Sequence, residues 1–274
     1  MNWVLSHELV IRLGFFGGVF AVMALWEFLA TRRELRVSRG TRWFANLGIT
    51  ILDTVLVRVL FPTAAVGMAL LAVERGWGFV NFLQLSQTVS IIVSVLILDL
   101  VIYLQHILFH AIPILWRLHM VHHADIDIDV TTGLRFHPVE IVLSMVIKLS
   151  AVVLLGPPVV AVLIFEVLLN ATAMFNHGNV RIPLAVDRLL RLFVVTPDMH
   201  RVHHSVKPFE TNSNFGFNLP WWDRLLGTYR DQPEDGHEAM VIGLSQFQER
   251  RKQTLPWLLA LPFTGRTGNY PLGD

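Results

Sequence analysis

Residues 89–125 read VSIIVSVLILDLVIYLQHILFHAIPILWRLHMVHHAD, and this stretch decides what kind of chain this is. From Val89 to Leu104 the only charge is Asp99, in a run close to the length a membrane-spanning helix needs. The run leads directly into His106-Ile107-Leu108-Phe109-His110, and His119-Met120-Val121-His122-His123 follows. Residues three and four apart share one face of a helix, so each group aims two or three imidazoles at one point. An apolar span that delivers histidines at ligand spacing predicts a metal site at the edge of a bilayer.

The pattern extends outward in both directions. Upstream lie apolar runs at Leu9–Ala30 and Phe44–Val73, the second interrupted by Asp53, Arg58 and Pro62. Charge at mid-membrane is costly and proline breaks a helix, so this second run is read as a kinked span or a re-entrant hairpin. Between the two runs stand Arg32, Arg33, Arg36, Arg39 and Arg42, which place this loop on the cytoplasmic side. Downstream, Val139–Leu155 and Val159–Phe175 flank Gly156-Pro157-Pro158, a strong turn signal, and read as a helical hairpin. Residues 177–274 are more polar and contain no complete span. A third group, His200-Arg201-Val202-His203-His204, lies there. With the arginine loop inside, two crossings put His106 inside, and the hairpin returns the chain inside at His177. All the clustered histidines then share one face. The expected fold is all-α: one integral-membrane helical bundle over 1–274, with a cytosolic helical cap carrying the histidines.

Composition agrees. Of 274 residues, 53% are hydrophobic and 16% charged, against about a quarter charged in soluble domains. The net charge of +1 gives no case for nucleic acid. With no cysteine, thiolate metal sites, iron–sulfur clusters and cysteine nucleophiles are excluded, and a metal must be held by histidine and carboxylate. Ten of the twelve histidines lie between His106 and His204. Eight motif histidines exceed what one zinc ion takes, so two ions fit the count. Imidazole suits several transition metals. The apolar surroundings point to a lipid substrate, and attack on its C–H bonds calls for oxygen and a redox metal, which favours iron.

These motifs, in this order, resemble the fatty acid hydroxylase and sterol desaturase superfamily of membrane di-iron oxygenases. Leu115–His123 resembles the family's central box, Arg135-Phe136-His137-Pro138-Val139-Glu140 the segment after it, and Thr196–Ser205 the last box. Asn214-Phe215-Gly216 and Trp222–Tyr229 extend the likeness, which runs from about Asp99 to Tyr229. The resemblance implies a di-iron centre that uses O2 to hydroxylate or desaturate a lipid, fed by a separate ferredoxin, cytochrome or reductase. It implies His106, His110, His119, His122, His123, His200, His203 and His204 as ligands, with His177 and His137 as further candidates.

Three more residues join the expected site. Asp99 and Tyr103 lie two turns and one turn before His106, where either could orient a ligand histidine. Asn170 forms a stripe with Glu166 and His177. The plain alternative for both stripes is helix–helix hydrogen bonding. Asp198 and Asp223 are candidate partners of ligands, Trp221 and Trp222 read as an interfacial anchor, and His7 and His237 read as exposed and inert. The expected location is a multi-pass protein, in a bacterial inner membrane rather than endoplasmic reticulum. Two rivals stand: a zinc-dependent membrane hydrolase, which lacks the HExxH pattern, and a metal transporter or sensor, whose ligands belong at mid-span.

Overall fold

The computed structural model describes residues 6–265 and 267–272. Helices dominate, and among the described residues β-pairing is limited to two isolated bridges, Thr31–Val180 and Ser205–Ile242. The first long helix, α1, is Glu8–Leu29. Helix α2, Arg39–Leu60, starts where the Ser38 side chain accepts a bond from the Thr41 amide. Pro62 follows its end, and the chain resumes as α3, Ala64–Arg75, and a short α4, Phe79–Leu83. Helix α5 is Gln87–Ala111, and α6, Pro113–His123, restarts at a proline whose missing N–H costs nothing in a first turn. The hairpin is α7, Pro138–Leu155, and α8, Val159–Asn176.

Among the described residues, five stretches are long and apolar enough to cross a membrane: 8–29, 39–83, 87–111, 138–155 and 159–176. The hairpin therefore matches its sequence reading to within a residue. The second run differs. It begins at Arg39 rather than Phe44, and Arg39 and Arg42 belong to the helix, not to the loop. Arg42 is fully buried because Asp125 and Asp129 neutralise it: its Nε and Nη2 donate to Asp125 at 3.0 and 2.8 Å, and Nη1 donates to Asp129. The third run also extends further, to Ala111, so His106 and His110 both ride on it.

Contacts show which helix ends meet. The end of α1 joins the chain after α8 through the Thr31–Val180 bridge. The start of α2 holds the Asp125–Asp129 loop, and α5, α7 and α8 bring His110, His137 and His177 to the same region. The chain thus leaves this face at Arg39, returns at Ala111, leaves at Pro138 and returns at Asn176. At the opposite end, Gly156 has φ +64° and a Cβ there would fall 2.1 Å from the Trp77 carbonyl oxygen, so both its conformation and the close approach require glycine.

Ala65, Leu98, Ile102, Val152, Val162, Phe165, Ala173 and Phe217 form the bundle core. A second core packs the C-terminal segment onto α2 and α6, with Ile49, Trp116, Met120, Leu244, Phe247 and Leu258. Around the outside, large apolar side chains stand open: Phe44, Phe82 and Leu154 are 78%, 81% and 75% exposed. A surface of this kind is stable facing lipid, not water. Within the bundle Glu166 pairs with Arg12 at 3.1 Å and Lys148 at 3.2 Å, which ties α1, α7 and α8 together.

Candidate metal centre

Nine buried histidines converge where these helix ends meet, in two groups. His106, His110, His119, His123 and His203 form one; His122, His177, His200 and His204 form the other. Within each group the ligand nitrogens all lie within 4.8 Å of one another. Their positions follow from local structure. His106 and His110 are one turn apart on α5, and His119, His122 and His123 occupy the last turn of α6. His177 caps the end of α8. His200 and His203 sit on a short helix, α9 here, Pro197–His203, with His204 next; the Thr196 hydroxyl accepts from the Met199 amide and fixes its start. Each HxxHH group is split between the two sets, so the groups share walls.

The hydrogen bonds behind the rings show what the centre is for. His106 Nδ1 donates to the Phe215 carbonyl at 2.8 Å, His122 to Arg135 at 3.3 Å, His177 to Ala173 at 2.7 Å and His203 to Ser213 at 2.7 Å. A carbonyl can only accept, so Nδ1 carries the proton and Nε2 of the neutral ring is a bare lone pair. His110 Nδ1 faces Asn212 Oδ1 at 3.0 Å, an amide oriented by its own bond to the Tyr270 carbonyl. His119 Nδ1 meets Glu140 Oε1 at 2.7 Å. The freed nitrogens then point at each other: His122 and His177 Nε2 are 3.1 Å apart, as are the His106–His119 and His110–His123 pairs. Lone pairs held this close repel unless a cation lies between them. Nitrogens at right angles around an ion, with bonds of about 2.1 Å, are about 3.0 Å apart, so the observed spacing fits metal ligation.

Burial points the same way. His122, His123, His200, His203 and His204 are held well below their ordinary pKa by burial and then by the neighbouring imidazoles, and burial brings His119 and His177 down to about 3. They stay neutral at physiological pH, which is the state a metal requires.

The structure brings together the eight motif histidines and His177, but not His137. His137 caps α7: its Nδ1 accepts from the Val139 amide at 3.2 Å and its other nitrogen faces the Leu259 carbonyl at 3.4 Å. Both of its nitrogens are thus engaged away from the two groups, which corrects its reading as a ligand. Asp99 orients no histidine either. It accepts from Asn218 Nδ2 and Trp222 Nε1, both at 2.8 Å, and so fastens the cap to α5. Trp222 is accordingly a strut, while Trp221 donates to the Leu192 carbonyl. Tyr103 bonds Thr228 at 2.8 Å, and Thr228 donates to Asp223 at 2.7 Å. Asp223 also accepts from the Phe215 and Gly216 amides, so it shapes the loop whose carbonyl holds His106. Burial pushes the Asp223 carboxyl up to about 6. Tyr103 therefore supports the centre through two intermediaries. Asn170 is exposed on α8 and donates to the Glu166 carbonyl at 2.7 Å, outside the centre. The stripe it shares with Glu166 is helix packing, as the plainer alternative has it.

His237, expected to be exposed, is buried with Nε2 3.7 Å from Asp198, because Arg32 and Arg33 fold over that segment. His7 is exposed. Glu140 and Asn212 were not among the residues expected from the sequence, yet they are the partners of His119 and His110. A carboxylate in the first turn of an apolar helix was a signal for Glu140; nothing local marks Asn212.

The chain belongs to the fatty acid hydroxylase family, whose model matches residues 91–228 and therefore spans α5 to the end of the centre's support. Among related proteins, an ornithine lipid hydroxylase of Rhizobium tropici is 28% identical over 219 residues, covering 78% of this chain and 65% of that protein. Human alkylglycerol monooxygenase is 28% identical over 148 residues, covering 52% of this chain and 30% of that protein. Cholesterol 25-hydroxylase of Rattus norvegicus is 27% identical over 187 residues, covering 62% and 60%. The chain thus spans less than two thirds of the length of each. No solved structure matches it.

Proposed function

We propose that this protein is a multi-pass membrane di-iron oxygenase that hydroxylates a lipid C–H bond. The observation that carries the reading is the pair of buried histidine groups whose lone pairs converge beside the apolar core of the bundle. The three relatives are named for hydroxylation or mono-oxygenation of lipids, which supports the same chemistry here. When bound, two iron ions supply the redox chemistry that activates O2. One oxygen atom goes to the lipid carbon and the other to water, with two electrons and two protons consumed. The two electrons come, in this proposal, from a separate ferredoxin, cytochrome or reductase; the cysteine-free sequence offers no thiolate redox centre of its own.

The chain's own residues do the rest. Carbonyls of Phe215, Arg135, Ala173 and Ser213 hold the Nδ1 protons, so the ligand nitrogens stay bare and aimed inward. Glu140 Oε1 does this for His119. Burial of all nine rings keeps bulk water out. The side chains of the bundle beside the centre are apolar, the surroundings an alkyl chain requires. The basic segment between α1 and α2 supports a cytoplasmic side for the centre, and the bacterial origin of the ornithine lipid hydroxylase among the relatives supports a bacterial inner membrane.

The test is metal analysis of the purified full chain together with lipid profiling of cells with and without it. About two irons per chain and a new O2-dependent hydroxylated lipid are expected. A single zinc ion with no oxygen uptake would sink the reading.

A further inference from the structure

The two histidine groups meet along a seam, and the aromatic rings around them sort by which group they touch. Phe215 packs against His106, His110 and His203, all of the first group. Trp116 packs against His110, His119 and His123, also of the first group. Among the described residues only two aromatics outside the nine rings touch a histidine from each group. Phe136 stacks on His122 with centroids 4.6 Å apart and planes 6° from parallel, and lies 6.3 Å from His119. Phe217 lies 5.1 Å from His106 and 6.1 Å from His200.

Both rings belong to the apolar cluster of the membrane bundle, where they pack with residues such as Leu98, Ile102 and Ala173. They are differently exposed. Phe217 is buried and Phe136 is half-buried. Phe217 is also fixed from behind: its carbonyl accepts from Asn176 Nδ2 at 3.1 Å, and the next residue, Asn218, is held by Asp99 and by Thr172. One ring is therefore a firm stop and the other has an open edge.

From this geometry we infer that Phe136 and Phe217 are the positioning residues that present one carbon of a lipid alkyl chain to the seam between the two groups. The chain approaches from the bundle side, past the open edge of Phe136, and Phe217 sets how far it advances. The inference rests on the oxygenase reading above. It adds where the substrate lies and which side chains choose the oxidised carbon. An error of an ångström in presentation is enough to change which carbon reacts.

Two measurements test it. In the first, the full chain in vesicles of a phosphatidylglycerol with a diazirine at the end of its acyl chain is irradiated and the adducts mapped. Adducts on the segments carrying Phe136 and Phe217 are expected. Phe217→Trp should lower them on the order of tenfold at unchanged metal content, and Phe82→Ala, on the exposed α4, should not. Adducts confined to outward-facing residues, or equal in wild type and Phe217→Trp, would overturn the inference. In the second, lipids of cells expressing Phe217→Ala and the milder Phe217→Leu are compared with wild type for the position of the new hydroxyl. Minor positional isomers should rise on the order of tenfold. An unchanged distribution overturns the inference and leaves the oxygenase reading standing. Absence of any oxidised lipid from wild type defeats that reading instead, and the photolabelling alone then decides the inference.

Discussion

The two histidine groups are built from the same residue type but are not held alike. In the five-histidine group, His106, His110, His119 and His203 each have a partner for Nδ1 at 2.7 to 3.0 Å, and one of those partners is the carboxylate of Glu140. In the four-histidine group, His177 is the hub, with its Nε2 3.1 to 3.2 Å from those of His122, His200 and His204. Yet His200 and His204 have buried Nδ1 atoms without a partner, and the His122 bond is long at 3.3 Å. Orienting partners raise ligand basicity and fix ring direction. The first group is therefore the tighter, more rigid site, and the second is held by fewer constraints. Two adjacent sites of one chemistry need not be equivalent.

The largest way to break this comparison is to remove the hub. His177→Ala should empty the four-histidine group and halve the metal per chain, with oxygenation falling to background; metal analysis that still finds two ions would refute the unequal-site view. Glu140→Gln acts on the other side. It should weaken metal binding in the five-histidine group about 10- to 100-fold, measured by competition with a chelator, and leave the other group unchanged.

Acid sharpens the comparison further. The grouped histidines outside the spans have folded pKa values below the ordinary 6.5, with His119 and His177 at about 3. Between those values the unfolded chain binds protons that the folded chain does not, so stability falls as pH falls from about 6.5 towards 3 and is complete above that window. Metal retention should follow it down, the four-histidine group releasing first. A titration in which both ions leave together, or neither leaves by pH 4, contradicts this. The smallest effect belongs to His137→Ala, which should cost about 1 kcal/mol through loss of the α7 cap and leave metal content unchanged. Any loss of metal would return His137 to the ligand set.

Some of this was open to reading from the chain alone, because helical spacing and bilayer thickness are local constraints. The runs gave the spans, the hairpin appeared to within a residue, and HxxxH and HxxHH spacing gave eight of the nine grouped histidines. His177 joined them through the family likeness rather than through spacing. What failed was pairwise and distant. Asp99 and Tyr103 have the right helical phase for His106, but phase shows only which face a side chain shares, and the cap residues Asn218, Trp222 and Thr228 claimed them first. His137 carried the right side chain in a family motif and became a helix cap, since an imidazole before a proline-started helix serves that use equally well.

By itself, the sequence determined that this chain spans a membrane and gathers histidines at one end, because apolar length and i, i+3, i+4 spacing act within a single helix. Only the tertiary structure decided how nine rings divide into five and four, and that Glu140, Asn212 and four backbone carbonyls set their tautomers. Those outcomes depend on segments as much as 109 residues apart, such as His106 and Phe215, meeting at hydrogen-bond distance. No local pattern records such a meeting, because the energy that selects it comes from packing the whole cap onto the bundle.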